Sequence, residues 1–370
     1  MPQAQVHRIP ADGPDDMSGL VALVRAGALD PARIVAVLGK TEGNGCVNDF
    51  TRGFATATLK AAIASLSGRS TEDVEREVLF VMSGGTEGGL SPHWLVFAAI
   101  PDTAPPFPGA PALALGTART RPFAPEEIGR MAQIQATETA VREAMRRAAI
   151  GDPADVHYVQ VKCPLLTRAR IARANAAGAS VATEDTYASM GYSRAASALG
   201  VALALGEVAA GAIRDDTVCR DFSVYSSRAS TSAGVELTEN QVLVVGNSAA
   251  WSGDLVIAHD VMTDAIDAAA FAHALAASGL VPAVPLAPGD QARLVAVLAK
   301  ADAAHSGSIR GARHTMLDDS DIPASRHARA LVGGVLAALA GTTRLFVSGG
   351  AEHQGPDGGG PVAVIVRRAL

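Results

Sequence analysis

Apolar residues recur along the chain in short runs that follow a turn and end in a lysine. Two such segments, DPARIVAVLGK at residues 30–40 and DQARLVAVLAK at residues 290–300, are identical at eight of eleven positions. A third, DPADVHYVQVK at residues 152–162, shares Asp, Pro, Ala, one Val and the final Lys with the first. Apolar runs of this length, rich in β-branched residues, are typical of strands. The pattern therefore predicts three related strands that each end in a lysine.

A helical pattern precedes each predicted strand. These patterns cover residues 16–26, 125–149 and 262–278, and they end near Gly27, Gly151 and Gly279. Glycine just beyond a helix is a common stop signal because it adopts the left-handed conformation without strain. The same helix–turn–strand order thus occurs three times.

A second motif also occurs three times, in the pattern Ser, small residue, Gly, any residue, Glu. It reads SGGTE at residues 83–87, SAGVE at residues 232–236 and SGGAE at residues 348–352. The first and last copies directly follow apolar runs, VLFVM and RLFV. These two copies are therefore predicted to lie at the ends of strands.

An arginine opens an Ala-rich helical pattern between the lysine and the serine of each unit. In the first two units it is Arg52 and Arg194. In the third unit, two arginines are alternatives for this position. Arg326 is preceded by a serine, as Arg194 is, whereas Arg329 is followed directly by a small residue, as Arg52 and Arg194 are. We favour Arg329.

Together these repeats predict an α/β fold of three homologous β/α units, at residues 1–103, 110–250 and 256–370. A Pro-rich linker is expected at residues 101–111. Three homologous units pack most simply around a pseudo-threefold axis, so the shared residues are expected to converge on a central active site.

The shared residue types indicate nucleophilic catalysis on a carbonyl group. A lysine beside a serine can accept the hydroxyl proton when burial or nearby cations lower its pKa. Small residues after the serine let backbone N–H groups approach a substrate oxygen, and arginines can hold carbonyl or anionic groups. The predicted site comprises Lys40, Lys162, Lys300, Ser83, Ser232, Ser348, Gly84, Ala233, Gly349, Arg52, Arg194 and Arg329. Each of these residues taken alone is more often a surface or turn residue, and the threefold correlation is what favours a site.

Composition narrows the class of protein. Of the 370 residues, 48% are hydrophobic and 18% charged, which favours a large buried core over disorder. The net charge of −6 and the lack of Lys/Arg runs argue against nucleic-acid binding. No signal peptide or membrane span is expected, and three cysteines make no disulfide framework, so we expect a cytoplasmic protein.

Other candidate features are weaker. Cys163 follows Lys162, but it has no counterpart in the other units, and the nine histidines show no metal-binding spacing. The glycines of SGGTEGG lack the GK[ST] of a P-loop, so no nucleotide, flavin or pyridoxal cofactor is expected. The segment from Glu352 to Gly360 is either a plain loop or a loop that folds around a hard cation through carbonyls and a carboxylate.

These motifs resemble the cyanuric acid hydrolase and barbiturase family of ring-opening amidohydrolases. The resemblance extends over nearly the whole chain and rests on GKTEGNGCVNDFTRG (39–53), SGGTEGGLSPHW (83–94), GYSRAASALG (191–200), ASTSAGVE (229–236), GSIRGARH (307–314) and SGGAEHQGP (348–356). It implies a three-unit fold and a central Ser–Lys site that opens a cyclic imide or amide without a catalytic metal. It also implies a homo-oligomer, for which we expect a tetramer.

Within the family, Cys46, Gly53 and Glu87 look more like cyanuric acid hydrolases than barbiturases. The resemblance then implies hydrolysis of cyanuric acid to carboxybiuret, which loses CO₂ to give biuret. A barbiturase and a non-catalytic protein that binds cyclic ureides are the alternatives.

The resemblance also implies a structural Mg²⁺ in the third unit. The ligands that it implies are Asp302, Ala351, Gln354, Gly355, Pro356 and Gly359. Asp302 stands where relatives are expected to have Glu.

The residues after each lysine suggest which pair carries the chemistry. Glu42 and Asp302 each lie two residues beyond a lysine, on the same face of an extended chain, where a carboxylate would keep the amine protonated. Lys162 is followed by Cys163 and Pro164 instead. We therefore predict Lys162 as the general base and Ser232 as the nucleophile, with equal roles for all three pairs as the alternative.

Overall fold

Three four-stranded sheets form the framework of the protein. The structure, a computed structural model, describes residues 1–101, 107, 109–280, 283 and 285–369. The strands of the first sheet are β1 (Gln3–Pro10), β2 (Ile34–Thr41), β3 (Leu79–Gly84) and β4 (His93–Ile100). Those of the second are β5 (Ala112–Arg119), β6 (Val156–Cys163), β7 (Ala229–Ala233) and β8 (Gln241–Ser248). Those of the third are β9 (Leu255–Met262), β10 (Leu294–Ala301), β13 (Phe346–Gly349) and β14 (Gly360–Arg367), while β11 (Ser308–Ile309) and β12 (Ala312–Arg313) pair separately.

All three sheets share one topology. Their strand orders are β1-β4-β2-β3, β5-β8-β6-β7 and β9-β14-β10-β13, so each sheet places its first, fourth, second and third strand side by side. In each sheet the second strand pairs in parallel with the third and antiparallel with the fourth. Each predicted unit range contains one sheet, except that β9 begins at Leu255, one residue before the third range. The predicted linker at residues 101–111 lies largely outside the described residues.

Helices cover the outer faces of the sheets, as expected for the α/β class. They are α1 (Ser18–Arg25), α2 (Phe50–Ser67), α3 (Thr71–Glu77), α4 (Met131–Arg147), α5 (Arg168–Ala176), α6 (Thr186–Ala204), α7 (Ala268–Ala277), α8 (Pro288–Arg293) and α9 (Ala324–Ala340). No helix among the described residues is long and apolar enough to cross a bilayer.

Three of these helices carry the predicted arginines. Arg52 lies in the first turn of α2 and Arg329 in the second turn of α9, whereas Arg194 lies midway along α6. The prediction that Arg194 opens its helix is wrong, because Asp185 caps α6 by accepting a hydrogen bond from the backbone N–H of Ala188.

One apolar core joins the three sheets. It contains residues from every sheet, such as Leu38, Phe97, Val159, Leu298 and Ile365, all at most 1% exposed. Separate clusters fill the space between the first and third sheets and their helices. In the second unit, α4 and α6 pack onto the sheet within the shared core. Each sheet is thus buried on both faces, which explains why the strands read as continuous apolar runs.

Candidate active site

The predicted lysines and serines lie side by side at the ends of paired strands. In the parallel ladders, Lys40 is level with Ser83, Lys162 with Ser232, and Lys300 with Ser348. The three lysine side chains are among the largest fully buried side chains of the protein, each at most 1% exposed. A buried amine needs hydrogen-bond acceptors, and its acceptors here come from a neighbouring sheet.

A closed ring of hydrogen bonds links the three sheets through these lysines. The Nζ atom of Lys40 donates to the carbonyl of Val347 at 2.8 Å, in the third sheet. Lys300 of that sheet donates to the carbonyl of Thr231 at 2.9 Å, in the second. Lys162 of the second sheet donates to the carbonyl of Met82 at 2.9 Å, in the first. Every acceptor immediately precedes a motif serine, so the sheets meet at equivalent positions.

A small cavity lies where the three serine motifs meet, with about 280 Å³ of empty space when its open, solvent-filled side is included. Nine predicted site residues line it: Arg52, Ser83, Gly84, Arg194, Ser232, Ala233, Arg329, Ser348 and Gly349. The remaining lining residues are Gly45, Met82 and Met190. The lysines lie behind this lining, where their amines reach the serines or the carbonyls next to them. The structure thus brings the predicted set together around one small polar space.

Sequence reasoning missed the three further lining residues. Met82 and Met190 carry no chemical signal, since each is an apolar neighbour of a motif residue. Gly45 has a φ of +70°, and a Cβ there would lie 2.9 Å from the Nη2 atom of Arg329 and from the carbonyl oxygen of Gly84. A glycine at this position leaves room for the guanidinium, and the GNG of the first unit was a signal that could have indicated it.

Two of the motif glutamates clamp an arginine from another unit. Glu87 accepts hydrogen bonds from Nε and Nη2 of Arg329 at 2.9 and 2.7 Å. Glu352 accepts hydrogen bonds from Nε and Nη2 of Arg194 at 2.8 and 2.5 Å. The arginines hold the pKa of both carboxyls at about 2, against the opposing effect of burial. Such bidentate pairs fix the orientation of a guanidinium.

The structure separates the two arginine alternatives of the third unit. Arg329 is 4% exposed and lines the cavity. Arg326 also contacts Glu87, at 2.9 Å, but it is not among the described residues that line the cavity, and its side chain is 31% exposed. This geometry favours Arg329.

The third arginine–glutamate set breaks the pattern. Arg52 donates to the carbonyls of Cys46 at 2.7 Å and Ala233 at 3.4 Å, and its buried Nε has no hydrogen-bond partner among the described residues. Glu236 instead places Oε1 3.5 Å from the Nζ of Lys162. Among the ion pairs of the described residues, Lys162 is the one site lysine with a carboxylate partner.

Burial lowers the pKa of all three amines, but the neighbouring charges differ. Arg329 adds to this effect for Lys40, whose pKa lies well below its usual value. Burial and then Arg194 lower the pKa of Lys300 to about 7. For Lys162, burial lowers the pKa, while Glu236 partly opposes it.

The argument that Lys162 alone lacks a nearby carboxylate is wrong, because Glu236 lies in ion-pair contact with it. Asp302 does act to raise the pKa of Lys300, as expected, against the larger effects of burial and Arg194. Strands β2 and β10 end at Thr41 and Ala301, so the rule for residues two apart in a strand does not reach either carboxylate. Glu42 is exposed. Asp302 accepts hydrogen bonds from the backbone N–H groups of Ala303 and Ala351. The assignment of Lys162 and Ser232 itself stays a prediction.

Hydrogen bonds to the serines also differ between the units. Lys40 lies 3.3 Å from the Oγ of Ser83, and Lys300 lies 3.3 Å from that of Ser348. No hydrogen bond among those of the described residues joins Lys162 to Ser232, whose Oγ lies 3.2 Å from the Oγ of Ser348. A catalytic hydrogen bond often shortens only when substrate binds, so this geometry does not exclude the pair.

The loop after the third serine motif has donors suited to a hard cation. Asp302 is buried, and burial together with Glu352 raises its pKa to about 6, so a cation beside it would stabilise the carboxylate. The other residues, Ala351, Gln354, Gly355, Pro356 and Gly359, offer carbonyl oxygens, the ligands that Mg²⁺ accepts. The side-chain oxygen of Gln354 already accepts the N–H of Thr231 at 2.7 Å. No group of three or more His, Cys, Asp or Glu side chains in the described part is placed to hold a metal, so a site here depends on carbonyls.

Comparison with known proteins identifies the family. The family described as amidohydrolase ring-opening protein matches residues 5–367. The chain belongs to this family. It is therefore a hydrolase that acts on C–N bonds of cyclic amides.

Individual relatives are similar over their full length. A cyanuric acid amidohydrolase of Ectopseudomonas oleovorans is 57% identical over 366 residues, which are 99% of each chain. One from Azorhizobium caulinodans is 54% identical over 370 residues, the whole of both chains. The solved structure of the cyanuric acid hydrolase from A. caulinodans superposes with a TM-score of 0.91 at 54% identity and full coverage of both chains. A second solved structure, reported as a cyanuric acid hydrolase that arose by structural concatenation, has a TM-score of 0.95 at 52% identity, over 99% of this chain and 100% of the other.

The loop at Asp302 leads to a prediction about chelation. If Mg²⁺ binds there, removing it with excess chelator lowers the melting temperature by about 3–4 °C, because bound metal at 100 times its Kd contributes about 2.7 kcal/mol. Turnover at temperatures below the transition is retained, since the cation lies outside the catalytic groups. Differential scanning calorimetry with and without chelator measures the shift.

Asp302→Asn is the matched control, and its melting temperature should not respond to chelator. An equal response of the melting temperature in wild type and variant would show that the cation does not bind in this loop. If chelation abolished turnover while the protein stayed folded, the metal would have a catalytic role instead.

Proposed function

We propose that the protein opens the ring of cyanuric acid by hydrolysis and releases carboxybiuret, which loses CO₂ to give biuret. The observation that carries this proposal is the meeting of three equivalent Lys/Ser/Arg sets at one small cavity. Cyanuric acid carries three equivalent carbonyls that alternate with three N–H groups. A lining that repeats the same donors three times matches such a ring at every carbonyl, and the names of the relatives agree with this substrate.

A barbiturate ring fits the same lining less completely. It keeps all three carbonyls but replaces one ring N–H by CH₂, so an acceptor in the lining that binds that N–H would lose its partner. A site built for hydrogen bonding discriminates against an analogue that leaves buried polar groups unpaired. This argument favours cyanuric acid over barbiturate, and a non-catalytic role is disfavoured by the family's hydrolytic chemistry.

Hydrogen-bond counting supports Lys162 as a base over Lys300. Lys300 has three acceptors, the carbonyls of Thr231 and Gly349 and the Oγ of Ser348, which suit the three N–H groups of an ammonium. Lys162 has the carbonyl of Met82 and the carboxylate of Glu236. A neutral amine satisfies both with its two N–H groups and keeps its lone pair for the Ser232 proton.

The same count does not separate Lys162 from Lys40, which has two acceptors. The proposed distinction lies in Glu236, which can relay a proton from the base, although the same carboxylate opposes the lowering of the Lys162 pKa by burial. Lys40 has no carboxylate in ion-pair contact among the described residues, and Lys162 does.

In the proposed mechanism, neutral Lys162 accepts the Oγ proton as Ser232 attacks a ring carbonyl. The other two sets, with Ser83 and Ser348, hold the remaining carbonyls. As the ring C–N bond breaks, Lys162 returns the proton to the departing nitrogen. Water then attacks the acyl-serine, loses a proton to Lys162, and regenerates the serine. No step passes through Mg²⁺, which we propose to be structural at Asp302, and no other cofactor is needed. The tetramer expected from the family resemblance stays a prediction that sedimentation would test.

The substrate proposal predicts the outcome of an assay with cyanuric acid, barbiturate and uracil. Loss of ring ultraviolet absorbance, together with biuret formation, should occur with cyanuric acid alone. Turnover of barbiturate without turnover of cyanuric acid would contradict the choice between the two rings. Tight binding of cyanuric acid without turnover would instead make the protein a binding protein.

The base assignment predicts a rank order of alanine variants. Lys162→Ala and Ser232→Ala should lose turnover most completely, because they remove the base and the nucleophile, and both should still bind a non-hydrolysable ring analogue. Lys40→Ala and Ser83→Ala are the matched controls from the other candidate pair. Measured kcat and analogue affinity decide the matter: an inert Ser83→Ala beside an active Ser232→Ala would reverse the assignment.

The arginine assignment predicts that Arg52→Ala, Arg194→Ala and Arg329→Ala each lose about 2–4 kcal/mol of transition-state stabilisation, by analogy with loss of a preorganised donor. Arg326→Ala is the matched control, since its side chain contacts Glu87 outside the cavity lining. Measured kcat/KM should fall roughly 30- to 1000-fold for the three and far less for the control. The reverse order for Arg326 and Arg329 would show that the third unit was aligned wrongly.

A further inference from the structure

A base as deeply buried as Lys162 has to exchange protons with solvent once in every turnover. Its side chain is 1% exposed, and substrate in the cavity would cover the face that points to Ser232. Rotation of the amine toward bulk water would break its hydrogen bond to Met82. A second group is therefore needed behind the lysine.

Glu236 occupies that position. Its Oε1 lies 3.5 Å from the lysine Nζ, while its side chain is 31% exposed. The equivalent residues of the other units, Glu87 and Glu352, are clamped by arginine and are only 15% and 17% exposed. Glu236 thus contacts a buried amine and is at the same time partly exposed to water.

An outer cavity, which shares no lining residue with the substrate space, meets Glu236. It holds about 610 Å³ of empty space, and its lining includes Gly53, Thr56, Lys60, Glu236 and Gln241. Gln241 is level with Lys162 in the antiparallel ladder of β6 and β8. The outer cavity therefore lies directly behind the lysine-bearing strand end and gives water access to the glutamate.

We propose that Glu236 is the positioning residue of Lys162: it holds the amine toward Ser232 and carries its proton to water in the outer cavity. This role rests on the proposed Ser–Lys hydrolysis and adds a third group to it. This role is consistent with the absence of an Arg52–Glu236 pair. A glutamate bound by Arg52 could not also contact Lys162 and accept its proton.

The proton balance of hydrolysis requires such a path. Acylation moves the Ser232 proton through Lys162 to the ring nitrogen and is neutral overall. In deacylation the attacking water forms the C–O bond of a carboxyl group as the ester C–O bond breaks, and one water proton returns to the serine. The new carboxyl group ionises near neutral pH, so one proton per turnover is left at the site. Lys162 takes up that proton and must lose it before the next cycle.

Several neighbouring groups influence the pKa values of Lys162 and Glu236. Arg52 lowers the pKa of both Lys162 and Glu236, and Cys163 lies beside the lysine. Arg170 faces Glu236 from helix α5. Burial raises the pKa of Glu236, but Lys162 and Arg52 together keep it below the usual value. A carboxylate that is charged at neutral pH and touches an amine is suited to receive its proton transiently.

The chain makes a direct titration possible, because it contains only four lysines, Lys40, Lys60, Lys162 and Lys300. With ¹³Cε-labelled lysine, the full-length enzyme should give four resonances, and loss of one in Lys162→Arg assigns the signal. Glu236→Gln should lower the pKa of Lys162 by about one to three pH units, because an opposite charge within ~4–6 Å is removed. Glu239→Gln is the matched control: that carboxylate pairs with Arg119 at 2.9 Å, and its loss should leave the resonance unchanged.

Turnover supplies the second measurement. In Glu236→Gln, kcat should fall about tenfold or more while KM changes less than about twofold, because ring contacts are kept and proton transfer is lost. Glu236→Ala should regain part of its kcat with added formate, which can enter from the outer cavity. Glu236→Gln should not respond, because the amide fills the space. Glu236→Asp should keep a higher kcat than either variant, because it retains a carboxylate. It provides the test if the other variants fold poorly.

An unchanged Lys162 titration in Glu236→Gln would overturn the proposal, and so would wild-type kcat in a folded Glu236→Gln. A fall in kcat that formate does not restore in Glu236→Ala would also count against proton transfer. The titration needs no substrate, so a wild type that fails to open cyanuric acid would refute the proposed function without deciding the Lys162–Glu236 contact.

Discussion

The removal of three lysine amines from water at one point is the constraint on which the rest of this structure depends. A buried amine without acceptors is costly whether it is charged or neutral. Here each amine donates to a carbonyl of a neighbouring sheet, through Val347, Met82 and Thr231. Since those carbonyls precede the serines, satisfying the lysines also brings the serines together. Fold and site are therefore held by the same hydrogen bonds, and separating any sheet would leave a carbonyl unpaired and remove an acceptor from an amine.

Much of this arrangement could be predicted from sequence because it is repeated. A lysine at the end of one apolar run is uninformative, but three such lysines at matching positions define a register, and the structure places each level with its serine. The α/β class followed from the same repeats. Alternation of helix, turn and strand is a local property, so reading it requires no knowledge of how the three sheets pack.

What could not be predicted depends on contacts between units. The acceptors of the lysines are backbone carbonyls, which any residue supplies, so Met82 gave no signal. The argument from Glu42 assumed that an extended chain continues past the lysine, whereas the strand ends one residue later and the carboxylate turns to solvent. Glu236 was recognisable as a motif residue, but its contact with Lys162 depends on where Arg52 points. That direction is set by the carbonyls of Cys46 and Ala233, far apart in sequence.

A symmetric framework creates a difficulty for a reaction that needs a single base. Three equivalent cations around one cavity suit the binding of a symmetric ring, yet equivalence would make every lysine compete for the same proton. The structure departs from equivalence at one pair: two glutamates are bound by Arg329 and Arg194, and the third contacts a lysine. Arg52 finds carbonyl acceptors in place of a carboxylate, but its buried Nε is left without a hydrogen-bond partner among the described residues, which has a cost in stability. A change in the partner of one side chain is thus enough to make one of three related lysines chemically distinct, while the backbone hydrogen bonds that hold the three sheets together stay the same.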